Sequence, residues 1–128
     1  MTYLLDTHTF LWFVIGSPKL SEKADEVISN AENTIYFSAV SGWEIAIKAR
    51  LGKLELPAAG MGIILEQVQK NDFTVLPVSL QHSVKVFDLP QIHRDPFDRM
   101  LISQAIFEEL VIITNDKMIN NYEVGTLW

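Results

Sequence analysis

Four carboxylates stand where a folded chain could bring them together: Asp6, Glu44, Asp98 and Asp116. Asp6 follows the apolar run Tyr3, Leu4, Leu5, and Asp116 sits just past Leu110 to Thr114, LVIIT. Carboxylates that converge repel one another, and some must hold protons unless a cation sits among them. Oxygen donors without cysteine, and without histidines at ligand spacing, favour Mg²⁺ or Mn²⁺ over zinc. An acidic cluster around such an ion can activate water, hold a scissile phosphate and stabilise the leaving oxygen. That is the working part of many nucleases.

Each acid also has a plainer reading. Asp6 could be a turn residue or a helix cap. Glu44 lies three residues after Ser41, which spells a capping box. Asp95 before Pro96 is a natural helix start, a side-chain cap followed by a ring preset for the first helical position. Asp98 then falls where an acid suits the helix dipole. Its face is otherwise apolar, however, because Leu101, Ile102 and Ala105 follow at helical offsets. Asp116 could cap the turn after it. The case for a site therefore rests on conjunction: all four acids fall at the ends of strands or in the first turns of the helices that follow.

The elements that must position them alternate along the chain. Strands are expected at 2–6, 34–38, 73–78 and 110–114, with a short fifth at 125–128. Pro77 marks the third as an edge strand or an early stop. Helices are expected at 9–15, after a Ser21 cap (inner face Ala24, Val27, Ile28 and Ala31), at 41–51 with Trp43 and Ile45 in the core, at 61–69, at 79–88, and from Asp95 onward. Such alternation gives an α/β fold with a parallel sheet covered on both faces. Ligands of such sheets bind at the carboxyl edge. The helix TFLWFVI, residues 9–15, is apolar nearly all round and is expected to be buried or covered by a partner through Trp12 or Phe13.

The totals are consistent with one domain over 1–128, long enough for a real core. With no cysteine, disulfides and thiolate metal sites are excluded, and a reducing compartment is compatible. The N-terminal stretch is no signal peptide, and no apolar run is long enough for a bilayer, so a cytoplasmic protein without membrane contact is expected. Net charge is −6, from 16 acids and 10 bases, which argues against simple electrostatic attraction to nucleic acid. Much of that acidity could be the one cluster. Lys48, Arg50, Lys53, Arg94, Arg99 and Lys117 flank the acidic segments and could line a path for a phosphate backbone. His8 and His93 lie near the acids; His82 is expected on a helix surface.

LLDTHTFLW (4–12), SGWEIAIKARLGKLEL (41–56), HRDPFDRMLISQA (93–105) and ITND (113–116), with the closing LW, resemble the PIN-domain family and, within it, the VapC-type toxin ribonucleases. The resemblance implies a three-layer α/β/α domain with a central parallel sheet of about five strands. It implies an endoribonuclease dependent on Mg²⁺ or Mn²⁺, toxin of a toxin–antitoxin pair, with RNA as substrate, a cognate antitoxin as partner and a homodimer as its usual state. Asp6, Glu44, Asp98 and Asp116 match the family's catalytic and metal-binding acids. Thr114 and Asn115 match its polar positions near the metal. Asp95 is extra to the general pattern, an accessory at most. Lys48, Arg50, Arg94 and Arg99 are the candidate RNA contacts.

Two rivals remain at this stage. One is a catalytically silent PIN-like module acting through protein contacts. The other is an aspartate-based phosphotransfer domain, for which LLDTH lacks the second acid, His8 standing in its place.

Overall fold

Side chains alternate along each strand, and the sequence supplies apolar residues for both faces. Tyr3 and Leu5 of β1 (Thr2–Leu5) point into one core, and Leu4 into the other. In β2 (Thr34–Ser38), Ile35 and Phe37 join the first core; in β4 (Val111–Ile113), Ile113 does so while Ile112 faces the second. β3 (Thr74–Leu76) and β5 (Thr126–Leu127) complete a five-stranded parallel sheet in the order β3-β2-β1-β4-β5. Edge position suits β3, since Pro77 directly after it has no amide to donate to a ladder. The computed structural model describes residues 1–57 and 59–128.

Helices cover both faces and give the three-layer α/β/α architecture. α1 (Thr7–Ile15), α2 (Glu22–Ser29) and α4 (Gly62–Lys70) contribute Phe10, Ala24, Ile28, Ile64 and Val68 to the first core. α6 (Pro96–Glu108) lays Leu101, Ile102 and Ala105 on the second. α3 (Ala39–Arg50) gives Ile45 to one core and Val40 to the other, and α5 (Leu80–Lys85) packs along α6, continuing as a 3₁₀ turn at Val86–Asp88. Sheet order reverses at the centre. The chain runs outward from β1 through β2 to β3, then returns to pair β4 on the other flank of β1. The carboxyl ends of β1 and β4, where Leu5 pairs with Ile113, are the switch point at which open α/β sheets bind ligands.

Several local expectations change. α3 starts at Ala39, capped by the Ser38 hydroxyl, which accepts from the Val40 amide at 3.1 Å. Ser41 is inside the helix, so no capping box explains Glu44. Trp43 is 62% exposed rather than in the core, whereas Ile45 is fully buried. Ala31 lies beyond the end of α2 and is exposed. His82, expected at the surface, is buried: its Nδ1 accepts from the Ser79 amide while the Ser79 hydroxyl accepts from the His82 amide, a capping box with histidine in the usual glutamate place. α1 covers itself more than its composition implied. Phe13 packs on Phe73 and Trp12 on Trp128, both at 5.8 Å between ring centres, and Ile15 is the exposed member.

Candidate metal centre

Asp6 occupies the cap position of α1 but makes no capping bond. Its backbone is set by the sheet, the amide donating to the Ile113 carbonyl at 3.2 Å. Its side chain is buried. Oδ2 accepts from the Thr114 hydroxyl at 2.6 Å, and Oδ1 has no partner among the described residues. A buried carboxylate oxygen left without a donor is costly unless a cation completes it. Burial is the largest cause raising the Asp6 pKa. The Thr114 hydrogen bond and His8 oppose it, and the charges of Glu44 and Asp116 add to it.

Glu44 reaches the same edge from well inside α3 and is 2% exposed. Thr7, next to Asp6, donates to Glu44 Oε1 at 2.7 Å and lies 2.8 Å from the Ser41 hydroxyl. Lys48, one turn along α3, binds Glu44 Oε2 and lies 3.8 Å from Asp95 Oδ2. Burial pulls the Lys48 pKa down, but the hydrogen bond and charge of Glu44, with Asp95 and Asp98 behind them, outweigh it and leave the pKa raised. Lys48 is therefore a fixed cation set into the acids.

Asp95 and Asp98 divide the start of α6 between them. Asp95 Oδ1 accepts from the amides of Phe97 at 2.8 Å and Asp98 at 3.3 Å, so Asp95 caps the helix. Asp98 has no such bond. Burial, then the charges of Asp6, Asp95, Glu44 and Asp116, push its pKa up to about 8. The other three acids expected at the site, with Asp95 beside them, thus act on the Asp98 carboxyl group. His93 closes the cluster. Its Nε2 lies 3.1 Å from Asp98 Oδ2 and 2.9 Å from Asp116 Oδ2, and one ligand atom from each of the three lies within 4.8 Å of the others. The Asp95 amide donates to His93 Nδ1 at 3.2 Å, which leaves Nε2–H as the donor to the carboxylates. Asp116 is held in turn: its amide donates to Thr114 Oγ1, and its Oδ1 accepts from the Met118 amide.

This donor set fits a hard divalent cation. It offers several carboxylate oxygens, an orphaned buried one among them, and an Asp98 that releases its proton readily only when positive charge arrives. Asp6, Glu44, Asp98 and Asp116 are the carboxylates at this edge that could hold such an ion.

The PIN domain family model matches residues 3–124. The chain belongs to the PIN domain family. Its fold is similar to a chain of VapBC2 from Rickettsia felis, solved bound to a DNA fragment from the promoter. The TM-score is 0.74 at 16% identity, covering 100% of this chain and 99% of that one. A chain of DNA-bound VapBC from Salmonella typhimurium gives a TM-score of 0.72 at 19% identity, covering 99% and 97%. One of FitAcB from Neisseria gonorrhoeae gives 0.68 at 18%, covering 100% and 97%. No curated protein matches the chain.

Within this PIN fold the flanking cations separate. Arg50 and Arg94 are exposed, and Lys48 is partly buried beside Glu44. Arg99 is a correction. It is 8% exposed, and its guanidinium donates to the carbonyls of Pro90, Val86 and Leu89 and contacts the His93 carbonyl and the Tyr122 hydroxyl. Arg99 ties the loop before α6 in place and is not free to meet a phosphate. Thr114 is buried on Asp6, while Asn115 is exposed, with no side-chain bond among the described residues. Thr7, which orients Glu44 and touches the Ser41 hydroxyl, is a residue that sequence reasoning missed, and Ser41 reads there only as a cap. A threonine directly after the strand-end aspartate is the signal that could have found Thr7.

Proposed function

We propose that this PIN chain is a Mg²⁺- or Mn²⁺-dependent endoribonuclease, the toxin of a toxin–antitoxin pair, with residues 1–128 as one domain working in the cytoplasm. The observation that carries the reading is the buried, unpartnered Asp6 Oδ1 at the switch point of the sheet, with Glu44, Asp98 and Asp116 close enough to shift the same titrations. A bound divalent ion would supply the activation of water, the grip on the scissile phosphate and the stabilisation of the leaving oxygen.

The chain's own part is orientation. Thr114 fixes one Asp6 oxygen and leaves the other facing the site. Thr7 and Lys48 fix Glu44, and the Lys48 ammonium offsets part of the acidic charge that would otherwise repel a phosphate. His93 holds Asp98 and Asp116 at one spacing. Arg50 and Arg94 are the exposed cations available to the RNA backbone.

The antitoxin and the homodimer belong to this reading; the similar chains from VapBC and FitAcB structures support the antitoxin. α5 and the 3₁₀ turn after it offer a contact surface: Leu80, Val84 and Phe87 are all exposed, Phe87 at 89%. No helix among the described residues is long and apolar enough to cross a membrane.

The test is cleavage of single-stranded RNA by purified protein with Mn²⁺. We expect internal cuts that stop on chelation and vanish in Asp98→Asn. Intact RNA in saturating Mn²⁺ with a folded wild-type chain would overturn the reading.

A further inference from the structure

A cleft of about 510 Å³ opens beside the acidic cluster. Its apolar walls are Trp43, Pro96, Phe97 and Met100, and Gln91 and Arg94 stand at its rim. His93 lines this cleft and also contacts Asp98 and Asp116, so cleft and cluster share a wall. Trp43 is 62% exposed, although α3 has a buried face available. It meets Phe97 edge to face, with ring centres 5.4 Å apart and planes at 76°. The Lys48 ammonium, already bound to Glu44, lies 5.6 Å from the centre of the Phe97 ring.

We infer that this cleft is a nucleobase subsite, in which Trp43 stacks on an unpaired base of the RNA strand whose backbone passes the acidic cluster. The inference rests on the nuclease reading and adds to it where the substrate is gripped. Charge is the first argument. A chain of net charge −6 gains little from phosphate contacts, so a nucleic-acid substrate must be held by something other than bulk attraction. Stacking on an aromatic ring supplies that and works for any base. Shape is the second. A base needs flat apolar walls and a few polar groups at its edge; Trp43, Phe97 and Pro96 give the first, and Gln91 gives the second. Position is the third. The cleft shares His93 with the acidic cluster, so a base seated here would set its strand beside the carboxylates, and exposed Arg94 also lines the cleft. A partner protein's apolar side chain would use the walls but has no need of the polar edge or of the shared wall with the cluster.

The experiment separates binding from cleavage. In Asp98→Asn, which we expect not to cut, titration with short single-stranded oligouridine and oligoadenosine should quench tryptophan fluorescence. Added Trp43→Phe should remove that quench, leaving Trp12 and Trp128 silent. In the cleaving protein, Trp43→Ala should raise KM for RNA about tenfold, the loss expected for one stacked base, and Trp43→Phe should recover most of it. An oligonucleotide without a base at the subsite position should bind wild type and Trp43→Ala equally weakly. Unchanged quench in the Trp43→Phe background, or equal KM in wild type and Trp43→Ala, overturns the subsite. So does a cleft that ignores RNA and is blocked only by a bound protein. Failure of wild type to cut RNA while the Trp43-dependent quench persists would instead overturn the nuclease reading alone.

Discussion

α3 and α6 both begin at the carboxyl edge of the sheet, and both bring an acid to the same place, but they divide the work differently. α3 uses a neutral cap, Ser38, and carries its acid nearly two turns in, where Thr7 and Lys48 satisfy both oxygens of Glu44. α6 uses an acid as its cap, Asp95, and places a second acid, Asp98, in its first turn, where His93 is its one charged partner among the described residues. The pair in α6 shows that one helical turn separates a carboxylate used as a cap from one left to the cluster. Asp95 already has its oxygen occupied by two backbone amides. Asp98 accepts no such bond, and burial first, then the surrounding carboxylates, push its pKa to about 8.

The largest effects should come from the unsatisfied side of this contrast. Asp98→Asn keeps size and shape and should abolish RNA cleavage, losing more than the roughly 10–100-fold that an outer-shell change costs. Glu44→Gln should do the same from the α3 side. Cleavage rates at saturating Mn²⁺ are the readout, and either variant retaining wild-type rates would remove that acid from the site. In the metal-free protein Asp98→Asn should be as stable as wild type or gain ~0.5–2 kcal/mol.

The caps should matter less, and through stability. Asp95→Ala should lose ~0.5–2 kcal/mol, while Asp95→Ser should keep the cap, the fold and most of the activity. Denaturant melts of the two variants decide this. A stable Asp95→Ala would mean that the two amide bonds contribute nothing.

A further effect is a slope with pH. Folded metal-free protein holds the Asp98 proton up to about pH 8, whereas the unfolded chain loses it near the ordinary value of 3.8. The folded state therefore binds more protons in between, and stability should fall as pH rises through that window. The raised Asp6 pKa acts in the same direction. Metal-free melts across the window should slope downward in wild type and less steeply in Asp98→Asn. Equal slopes would show that Asp98 does not hold the proton.

What could be read from the sequence was what depends on neighbours along the chain. Strand-end acids, the Asp95-Pro96 start of α6 and the edge strand or early stop marked by Pro77 need only local chemistry. Ser38 and Ser41 could not be told apart as caps in that way, because the choice depends on how far β2 runs, and β2 pairs with β3 as far as Ser38. Arg99 looked like a surface cation because the carbonyls that enclose it come from a loop several residues upstream. His82 was hidden because Ser-x-x-His does not advertise a capping box as Ser-x-x-Glu does. His93 could be placed near the acids, but its bridge between Asp98 and Asp116 requires the α6 start and the β4 end to meet.

The most direct measurement is the rise in melting temperature on adding Mn²⁺ to wild type, Asp95→Ser and Asp98→Asn. A ligand that binds only the folded state raises the melt, and more so the tighter it binds. The account expects Asp95→Ser to keep most of the wild-type rise and Asp98→Asn to lose most of it. A folded Asp95→Ser that loses as much as Asp98→Asn, or the same rise in all three proteins, would contradict it.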